Sequence, residues 1–502
     1  MKRAKHLCYI PTIVVYLPKI RFNAMNKNFL FAAIVALGFA SCADNTPEPA
    51  PVYPIPAPKQ VEWQQMETYA FIHFGLNTFN DMEWGYGDTD PKTFNPKHLD
   101  AKQWARTFVE AGMKGVIITA KHHDGFCLWP TELTDYNITH SSYNGDVVGE
   151  LASACREYGL KFGVYLSPWD RNRSDYGEPS YVEYYHAQLR DLLTRYGDIF
   201  EVWFDGANGG DGYYGGAKER RSIDRRNYYN FPKAWAMVEE LQPNAICFSD
   251  GGPGCRWVGN ESGHVGTTNW AFLRGAEVYP GYPNGDELFI GHADGDAWIP
   301  AECDVSIRPG WFYHESEDDK VKTPDDLVDI YYQSVGHNGN MLLNFPVNKE
   351  GLISKTDSIN AVRFHQRITQ ELGHNLLLDA KVEASDVRGK RFDATLANDG
   401  DFDTYWATSD EMTTGSLTFT FNQPQQVSRL MLQEYIPLGQ RVKNFQVEYQ
   451  NGSVWVPLPL DEETTTIGYK RILRFPEITS SAIRINFTDA RGPLCISEVA
   501  AF

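Results

Sequence analysis

The chain has 502 residues and a net charge of −19, with ordinary shares of apolar (42%) and charged (22%) residues. This length predicts two or three domains, and this composition excludes wholesale disorder and a collagen-like repeat. The acidic balance argues against general nucleic-acid binding, because phosphate backbones would be repelled. The eight cysteines follow neither a CxxC pattern nor a regular spacing, so a zinc ribbon or a disulfide scaffold is not supported.

The first sixty residues have the pattern of an export signal. Phe29–Phe39 is an apolar run too short to span a bilayer, and it is followed by Ala40-Ser41-Cys42. Small residues before a cysteine resemble a bacterial lipobox, which predicts an exported periplasmic or outer-membrane lipoprotein of a bacterium, with residues 1–42 as its signal region. The alternative is a plain secretory signal with an incidental cysteine. The prolines within residues 47–58 predict a stiff tether, assigned to residues 43–60.

Residues 61–370 alternate between buried-strand and helix patterns. Short apolar strands are predicted at residues 70–72, 115–119, 161–166, 199–204, 245–248, 304–307 and 341–345, and helices at 101–111 and 148–158. Uniformly apolar strands that alternate with helices indicate a parallel sheet covered by helices. So many units predict an α/β fold of the (β/α)₈-like barrel type, in which the chemistry lies just after the carboxyl ends of the strands.

Residues 375–502 have a different character. They lack a long amphipathic helix and show short alternating strands, such as residues 416–421 and 445–449. This pattern predicts a C-terminal antiparallel β-sandwich that follows the barrel.

Polar side chains follow several of the predicted barrel strands. His73, His122, His123 and Asp205 lie at such positions, and Glu261 follows the fifth strand-like run. Two carboxylates that face one pocket suit glycosidic cleavage, because one attacks the anomeric carbon and the other protonates the leaving oxygen. One alternative is that Asp205 caps a helix. Another is that the adjacent His122 and His123 are structural or bind a metal, although no well-spaced set of metal ligands accompanies them.

Four ordered motifs make the barrel recognisable. They are Phe71–Phe79 (FIHFGLNTF), Glu83-Trp84, Lys121–Phe126 (KHHDGF) and Val202–Gly206 (VWFDG). Together they resemble glycoside hydrolase family 29, the retaining α-L-fucosidases, whose implied fold is a (β/α)₈-like barrel followed by a β-sandwich. The resemblance implies that Asp205 is the nucleophile. It implies fucose-binding roles for His73, Glu83, Trp84, His122, His123, Tyr165 (or a neighbour of that residue) and Trp311.

The segment Arg256–Glu261 (RWVGNE) resembles the motif of a subgroup selective for α-1,3/1,4-linked fucose on Lewis-type glycans. This implies Glu261 as the acid/base, with Glu302 as its rival. The prediction is a retaining exo-glycosidase that needs no cofactor for catalysis and acts on fucosylated oligosaccharides, with its two carboxyl groups about 5–5.5 Å apart. Membrane association is expected only through the lipid anchor. A broad-specificity fucosidase and a non-catalytic surface glycan-binding protein are the alternatives.

The C-terminal region resembles discoidin-type sandwiches. Oxygen ligands at Asp399, Asp401 and Thr404 lie around a glycine turn, and Glu498 matches the carboxylate that closes the calcium site in similar domains. This implies a structural calcium ion, and the alternative is an ordinary Asx-rich turn.

Overall fold

The computed structural model describes residues 45–206, 221 and 223–502. The predicted signal region and lipobox, with Cys42, lie outside the described residues. Within that part of the chain the α-helices are α1 (Pro58–Gln64), α2 (Leu76–Asn80), α3 (Ala101–Glu110), α4 (Val147–Tyr158), α5 (Pro179–Arg195), α6 (Phe231–Leu241), α7 (Gly285–Ile290), α8 (Pro324–Ser334) and α9 (Lys355–Leu372). Among these residues we find no helix with the length and apolar character needed to cross a bilayer.

The strands fall into a barrel, a small ribbon and a sandwich. Those of the barrel and ribbon are β1 (Thr68–His73), β2 (Gly115–Lys121), β3 (Lys161–Leu166), β4 (Glu201–Trp203), β5 (Ile246–Ser249), β6 (Cys255–Trp257), β7 (Phe272–Leu273), β8 (Ala297–Trp298), β9 (Ala301–Ser306) and β10 (Gly339–Pro346). Those of the sandwich are β11 (Lys381–Ala384), β12 (Trp406–Ala407), β13 (Gly415–Glu434), β14 (Val442–Asn451), β15 (Val454–Pro457), β16 (Arg471–Ala490) and β17 (Cys495–Ala501).

Eight parallel strands close into a barrel in the order β1-β10-β9-β6-β5-β4-β3-β2. The strands form where the sequence is apolar on both faces: every residue of β2 and of β10 is buried, since one face meets the barrel interior and the other meets the helices. Aspartate caps start two of these helices, because Asp100 accepts from the first backbone N–H groups of α3 and Asp146 from those of α4. The predicted (β/α)₈-like barrel is confirmed.

The barrel is irregular between β5 and β6. Only residues 250–254 join these two parallel strands, whereas a parallel connection normally needs a dozen residues or more and a helix. The sequence did not predict β6, which has three residues. Its effect on the site is direct, because Arg256 and Trp257 lie on β6 and the chain then leads to Glu261 at the barrel mouth.

The C-terminal domain is the predicted antiparallel β-sandwich. Its strands follow the order β12-β17-β13-β16-β14-β15, with β11 paired to β13. The two central strands, β13 and β16, have 20 residues each and pair antiparallel with register shifts. The predicted short strand at residues 416–421 is therefore the first part of one long, bent strand.

The barrel and the sandwich make close polar contacts. The backbone N–H of Ala271 donates to Gln440 (2.8 Å), and the backbone N–H of Tyr469 donates to Asn338 (2.8 Å). The backbone N–H of Ile472 also donates to the carbonyl oxygen of a barrel residue (2.9 Å). The sandwich therefore braces one side of the barrel.

Residues 45–57, which we call the N-terminal strap, lie along the sandwich. Side chains of the sandwich donate to strap carbonyl groups: Arg388 to Pro47 (2.7 Å), Arg441 to Ala50 (2.8 Å) and Arg491 to Tyr53 (2.8 Å). The backbone N–H of Val52 donates in turn to the sandwich (2.9 Å). Arginine donors of the sandwich thus hold the described part of the strap against the folded body, and the tether over residues 43–60 stays a prediction.

Candidate active site

A pocket of about 310 Å³ opens at the carboxyl ends of the barrel strands. Eight predicted site residues line it: His73, Glu83, Trp84, His122, His123, Asp205, Glu261 and Trp311. Tyr165 lies just behind the wall and is completely buried. The geometry of parallel strands explains this convergence, because their carboxyl ends meet at the same rim of the barrel.

Asp205 follows β4 by two residues and faces the pocket with 19% of its side chain exposed. The Tyr165 hydroxyl, on β3, donates to Asp205 Oδ2 (2.7 Å). The next residue must be a glycine, since a Cβ atom on Gly206 would lie 2.0 Å from Oδ2 of Asp250. The carboxylate is thus held in one orientation at the floor of the pocket.

His123 presents a hydrogen-bond acceptor beside this carboxylate. The Ser167 hydroxyl donates its one proton to the carbonyl oxygen of Trp169 (2.7 Å), so it accepts from Nδ1 of His123 (2.7 Å). Burial lowers the pKa of His123 well below its usual value, so the ring is neutral and Nε2 keeps a lone pair. This Nε2 lies 3.7 Å from Asp205 Oδ2.

The other two histidines also have defined tautomers. The Asn344 amide donates to the carbonyl oxygen of Trp311 (2.9 Å), so its Oδ1 accepts from Nδ1 of His73 (2.8 Å), and Nε2 of His73 is an acceptor. Burial lowers the pKa of His73 to about 3. The Asn77 amide nitrogen donates to Nδ1 of His122 (3.4 Å), which leaves the proton on Nε2 as a donor. The pocket therefore holds three neutral imidazoles, two with an acceptor Nε2 and one with a donor Nε2. Such a mixture of donors and acceptors suits the binding of hydroxyl groups.

Glu83 anchors the loop that carries Trp311. Its carboxylate accepts from the backbone N–H groups of Trp311 (2.9 Å) and Phe312 (3.1 Å) and hydrogen-bonds to Nε2 of His314 (2.7 Å). The Trp311 indole then donates to Glu261 Oε2 (3.0 Å). Glu83 thus acts on Glu261 through one intermediate residue, besides lining the pocket itself.

Trp84 forms part of the exposed rim. Half of its surface is exposed, and its ring meets the rings of His123 and Trp169 edge-on, each at 5.4 Å. An aromatic face at the mouth of a pocket of this kind suits the C–H surface of a sugar ring. The predicted substrate-binding role of this residue stays a prediction.

Glu302 lies below the pocket floor and not in it. It accepts from the Trp203 indole (2.7 Å) and from the Tyr69 hydroxyl, and it hydrogen-bonds to Glu201. Burial raises the pKa of Glu201 and of Glu302, and two adjacent buried carboxyl groups share one proton. Fully buried, Glu302 has no access to a leaving oxygen in the pocket, unlike Glu261, which is exposed there.

Sequence reasoning missed several residues of the pocket wall, among them Arg225, Asp250, Tyr282 and Asp304. Asp250 follows β5 directly, so the strand-end rule that found Asp205 would also have found it. Asp304 lies two residues after Glu302 and thus on the same face of β9, a signal that was present in the sequence.

Three residues of the predicted calcium site, Asp399, Asp401 and Thr404, lie in one turn of the sandwich, and the fourth, Glu498, lies on β17. The Thr404 hydroxyl donates to Asp399 Oδ2 (2.7 Å), and Glu498 accepts from the backbone N–H of Gly400 (3.0 Å). Among the described residues, two groups of three possible metal ligands have their ligand atoms within 4.8 Å of one another, and both groups lie in the barrel. Asp399, Asp401 and Glu498 belong to neither group. Burial, and to a lesser degree Asp399, raises the pKa of Glu498 to about 7. The calcium site stays a prediction.

Comparison with known proteins identifies both domains. The family model described as Alpha-L-fucosidase matches residues 51–361, and the F5/8 type C domain model matches residues 381–501. The chain belongs to the α-L-fucosidase family. As a member of glycoside hydrolase family 29 it is an α-L-fucosidase, and its C-terminal sandwich is a discoidin-like domain.

Relatives match this fucosidase over nearly its whole length. α-L-Fucosidase 1 of Arabidopsis thaliana is 40% identical over 486 residues, which cover 94% of this chain and 93% of the relative. A relative from Oryza sativa subsp. japonica is 42% identical over 476 residues, covering 93% and 88%. A Ruminococcus gnavus family-29 fucosidase, solved in complex with fucose, superposes with a TM-score of 0.83 at 32% identity, covering 91% of this chain and 96% of that one.

The plant relatives overturn one prediction from the sequence. Both match more than nine-tenths of this fucosidase and come from plants, which argues against a periplasmic or outer-membrane lipoprotein of a bacterium. That prediction is wrong. An apolar run that ends before a cysteine does not separate a lipobox from an ordinary secretory leader, because both need the same short apolar core.

Proposed function

We propose that this α-L-fucosidase is a retaining exo-glycosidase in which Asp205 is the nucleophile and Glu261 the acid/base. The observation that carries the proposal is the placement of Asp205. Its carboxylate lies at the end of β4, is oriented by the Tyr165 hydroxyl (2.7 Å), and shares one pocket with Glu261. An oriented carboxylate and a second, separately held carboxyl group are the parts that double displacement needs.

The reaction then has two steps. An Asp205 oxygen attacks the anomeric carbon, the bond to the leaving oxygen breaks, and Glu261 gives that oxygen its proton. Water next attacks the same carbon, Glu261 takes the proton from the water, and the bond to Asp205 breaks to release fucose. The Trp311 indole, which donates to Glu261 (3.0 Å), keeps this carboxyl group on the side of the pocket where the leaving oxygen departs.

The three neutral histidines bind the hydroxyl groups of the sugar. Nε2 of His73 and Nε2 of His123 accept hydrogen bonds, and Nε2 of His122 donates one, by the tautomers derived above. Because Nε2 of His123 is 3.7 Å from Asp205, the hydroxyl group that it binds lies beside the reacting carbon. Hydrogen bonds at that position strengthen in the transition state of glycoside cleavage.

Stereochemistry tests the double displacement. NMR of the first product released should show α-fucose, the anomer of the substrate, before mutarotation mixes the two anomers. First-formed β-fucose would contradict a covalent intermediate on Asp205. The same experiment separates hydrolysis from the alternative of a non-catalytic glycan-binding protein, which would retain its ligand without any product.

We also propose that the preferred substrate is α-1,3/1,4-linked fucose on branched, Lewis-type glycans, with a broad-specificity fucosidase as the alternative. The resemblance of Arg256–Glu261 to the selective subgroup supports this. A second support is the lining of the pocket, which includes Trp257, Tyr282 and Arg225 besides Glu261 and so offers polar and aromatic contacts to a second sugar.

Binding energy from that second sugar would be expressed in the transition state if it orders the segment that carries Glu261. We therefore expect a higher kcat/KM for a Lewis trisaccharide than for the disaccharide that lacks its galactose, and a low value for α-1,2-linked or simple aryl fucosides. Equal kcat/KM values for the trisaccharide and the disaccharide would mean that the site recognises fucose alone.

A further inference from the structure

Asp304 is a carboxyl group in the pocket wall that the scheme above does not use. It lies on β9, lines the pocket, and exposes only 2% of its surface. Its Oδ1 atom is buried and makes no hydrogen bond to any described residue. Asp304 is thus one of five carboxyl groups that line the pocket, with Glu83, Asp205, Asp250 and Glu261.

A buried carboxyl oxygen without a hydrogen-bond partner destabilises the fold. The other carboxyl group that sequence analysis missed in this wall behaves differently, since Asp250 accepts from the backbone N–H of Gly281 (2.6 Å). Buried polar groups without partners are rare, and each needs an explanation. Because Asp304 lines the pocket, a ligand bound there can supply a partner to its carboxyl group once the side chain turns its buried oxygen toward the pocket.

The electrostatic surroundings determine the form in which Asp304 meets such a ligand. Burial raises its pKa well above the usual value, and the neighbouring carboxyl groups of Glu261, Glu302 and Asp205 raise it further. Both effects favour the protonated form of Asp304, which has one O–H donor and one acceptor oxygen. Rotation about χ2 exchanges the two oxygens, because that torsion is broad and nearly two-fold.

A neutral carboxyl group supplies a hydrogen-bond donor, which His73 and His123 do not offer to the sugar. Two of the three imidazoles, His73 and His123, offer acceptor nitrogens, so the hydroxyl groups bound to them act as hydrogen-bond donors. The oxygen of each such hydroxyl group can also accept a hydrogen bond. An O–H group at Asp304 can donate that hydrogen bond.

We propose that Asp304 is a substrate-binding residue that hydrogen-bonds one hydroxyl group of the fucose ring. The inference rests on the α-L-fucosidase activity and adds a contact to it. Its position beside both Asp205 and Glu261 places the contact near the reacting carbon, where a lost hydrogen bond lowers kcat/KM.

The test combines variants of Asp304 with modified substrates. An activated aryl α-L-fucoside and its 2-, 3- and 4-deoxy analogues are hydrolysed by wild type, by Asp304→Leu and by Asp304→Asn. Asp304→Leu, similar in size but apolar, should lower kcat/KM for the parent fucoside by about 10- to 100-fold. That loss should shrink to less than about threefold on the one deoxy analogue that lacks the partner hydroxyl, because the interaction is already absent there.

Asp304→Asn keeps a donor and an acceptor in the same place and should retain activity within about fivefold of wild type. If Asp304→Leu does not fold, Asp304→Ala, which also lacks a donor and an acceptor, replaces it in the same comparison. An equal loss on all three deoxy analogues, or a loss in Asp304→Asn as large as in Asp304→Leu, would overturn the proposal. Wild-type turnover of the parent fucoside reports separately on the activity itself.

A control variant separates this effect from general destabilisation. Glu434 is a buried carboxyl group in the sandwich that accepts from the backbone N–H groups of Arg441 (2.6 Å), Val442 (2.9 Å) and Gly468 (2.7 Å). Glu434→Gln should lower the Tm and leave the ratios of kcat/KM among the four fucosides unchanged. A change in those ratios would show that deoxy selectivity responds to stability alone, and would contradict the interpretation of Asp304.

Discussion

Replacing Tyr165 by phenylalanine removes one atom from the site and leaves its packing in place. The hydroxyl donates to Asp205 Oδ2 at 2.7 Å, while the ring stacks on the rings of Trp203 (5.4 Å) and His122 (5.7 Å). Phenylalanine keeps both stacking contacts. The change therefore isolates the hydrogen bond that orients the nucleophile.

The size of the effect follows from that one bond. A hydrogen bond to a charged group contributes about 1.5–3 kcal/mol, and each 1.36 kcal/mol on a barrier is a factor of about ten in rate. We expect kcat/KM for Tyr165→Phe to fall by about 10- to 100-fold. Both chemical steps involve Asp205, so kcat should fall as well, whereas a residue needed only for binding would raise KM and leave kcat unchanged.

Tyr185 provides the matched control. It is also fully buried beside the barrel, its hydroxyl donates to the carbonyl oxygen of Leu166 (3.3 Å) and not to Asp205, and it does not line the pocket. Steady-state kinetics on an activated fucoside, with Tm measured for each variant, should show a loss of kcat in Tyr165→Phe and none in Tyr185→Phe. Wild-type kcat in Tyr165→Phe, or an equal loss in both variants, would refute the assignment of Tyr165 to the nucleophile.

Three further predictions address the remaining groups. Asp205→Asn should abolish turnover with an unchanged Tm, because no covalent intermediate forms; near-wild-type fucose release would reject Asp205 as the nucleophile. Glu261→Ala should impair natural glycans far more than activated aryl fucosides, and added azide should partly restore the latter; uniform loss on both substrate classes, without rescue, would argue against an acid/base. Calcium should raise the Tm of the EDTA-treated protein if Asp399 and Glu498 hold the predicted ion; an unchanged Tm would leave these residues as an ordinary turn.

Sequence reasoning predicted the barrel well where strands are buried on both faces. Residues 115–120 of β2 show why, since a run of six apolar or small residues has no other place in a globular domain than between two covering layers. It failed at β6, which has three residues and no apolar run, and at β13, whose 20 residues contain a polar stretch in the middle. Both strands are defined by their hydrogen-bonded pairing with neighbouring strands, which the local hydrophobic pattern of the sequence does not predict.

The site was predicted in the same uneven way. Strand ends revealed Asp205 and the histidines because chain direction alone brings them to one rim. The sequence did not predict how deep inside the barrel each side chain lies. Glu302 was therefore considered as the acid/base, and Asp304 was overlooked as a pocket residue. Both face inward from β9, and only the closed barrel shows that Glu302 meets Trp203 below the floor whereas Asp304 reaches the pocket.

The N-terminal strap bears on where a shortened form of this protein can begin. Prolines have no N–H group, so a proline-rich segment offers its partners mainly acceptors, and arginines of the sandwich use them. Arg441 is completely buried and donates to the carbonyl oxygen of Ala50 (2.8 Å). A recombinant chain that starts at Pro58 would leave that guanidinium group with one acceptor fewer, at a cost of about 1–3 kcal/mol to the sandwich. Pro49, Pro54 and Pro56 are also buried, so the strap contributes packing as well as acceptors, and a shortened form that keeps these contacts has to begin ahead of Pro47.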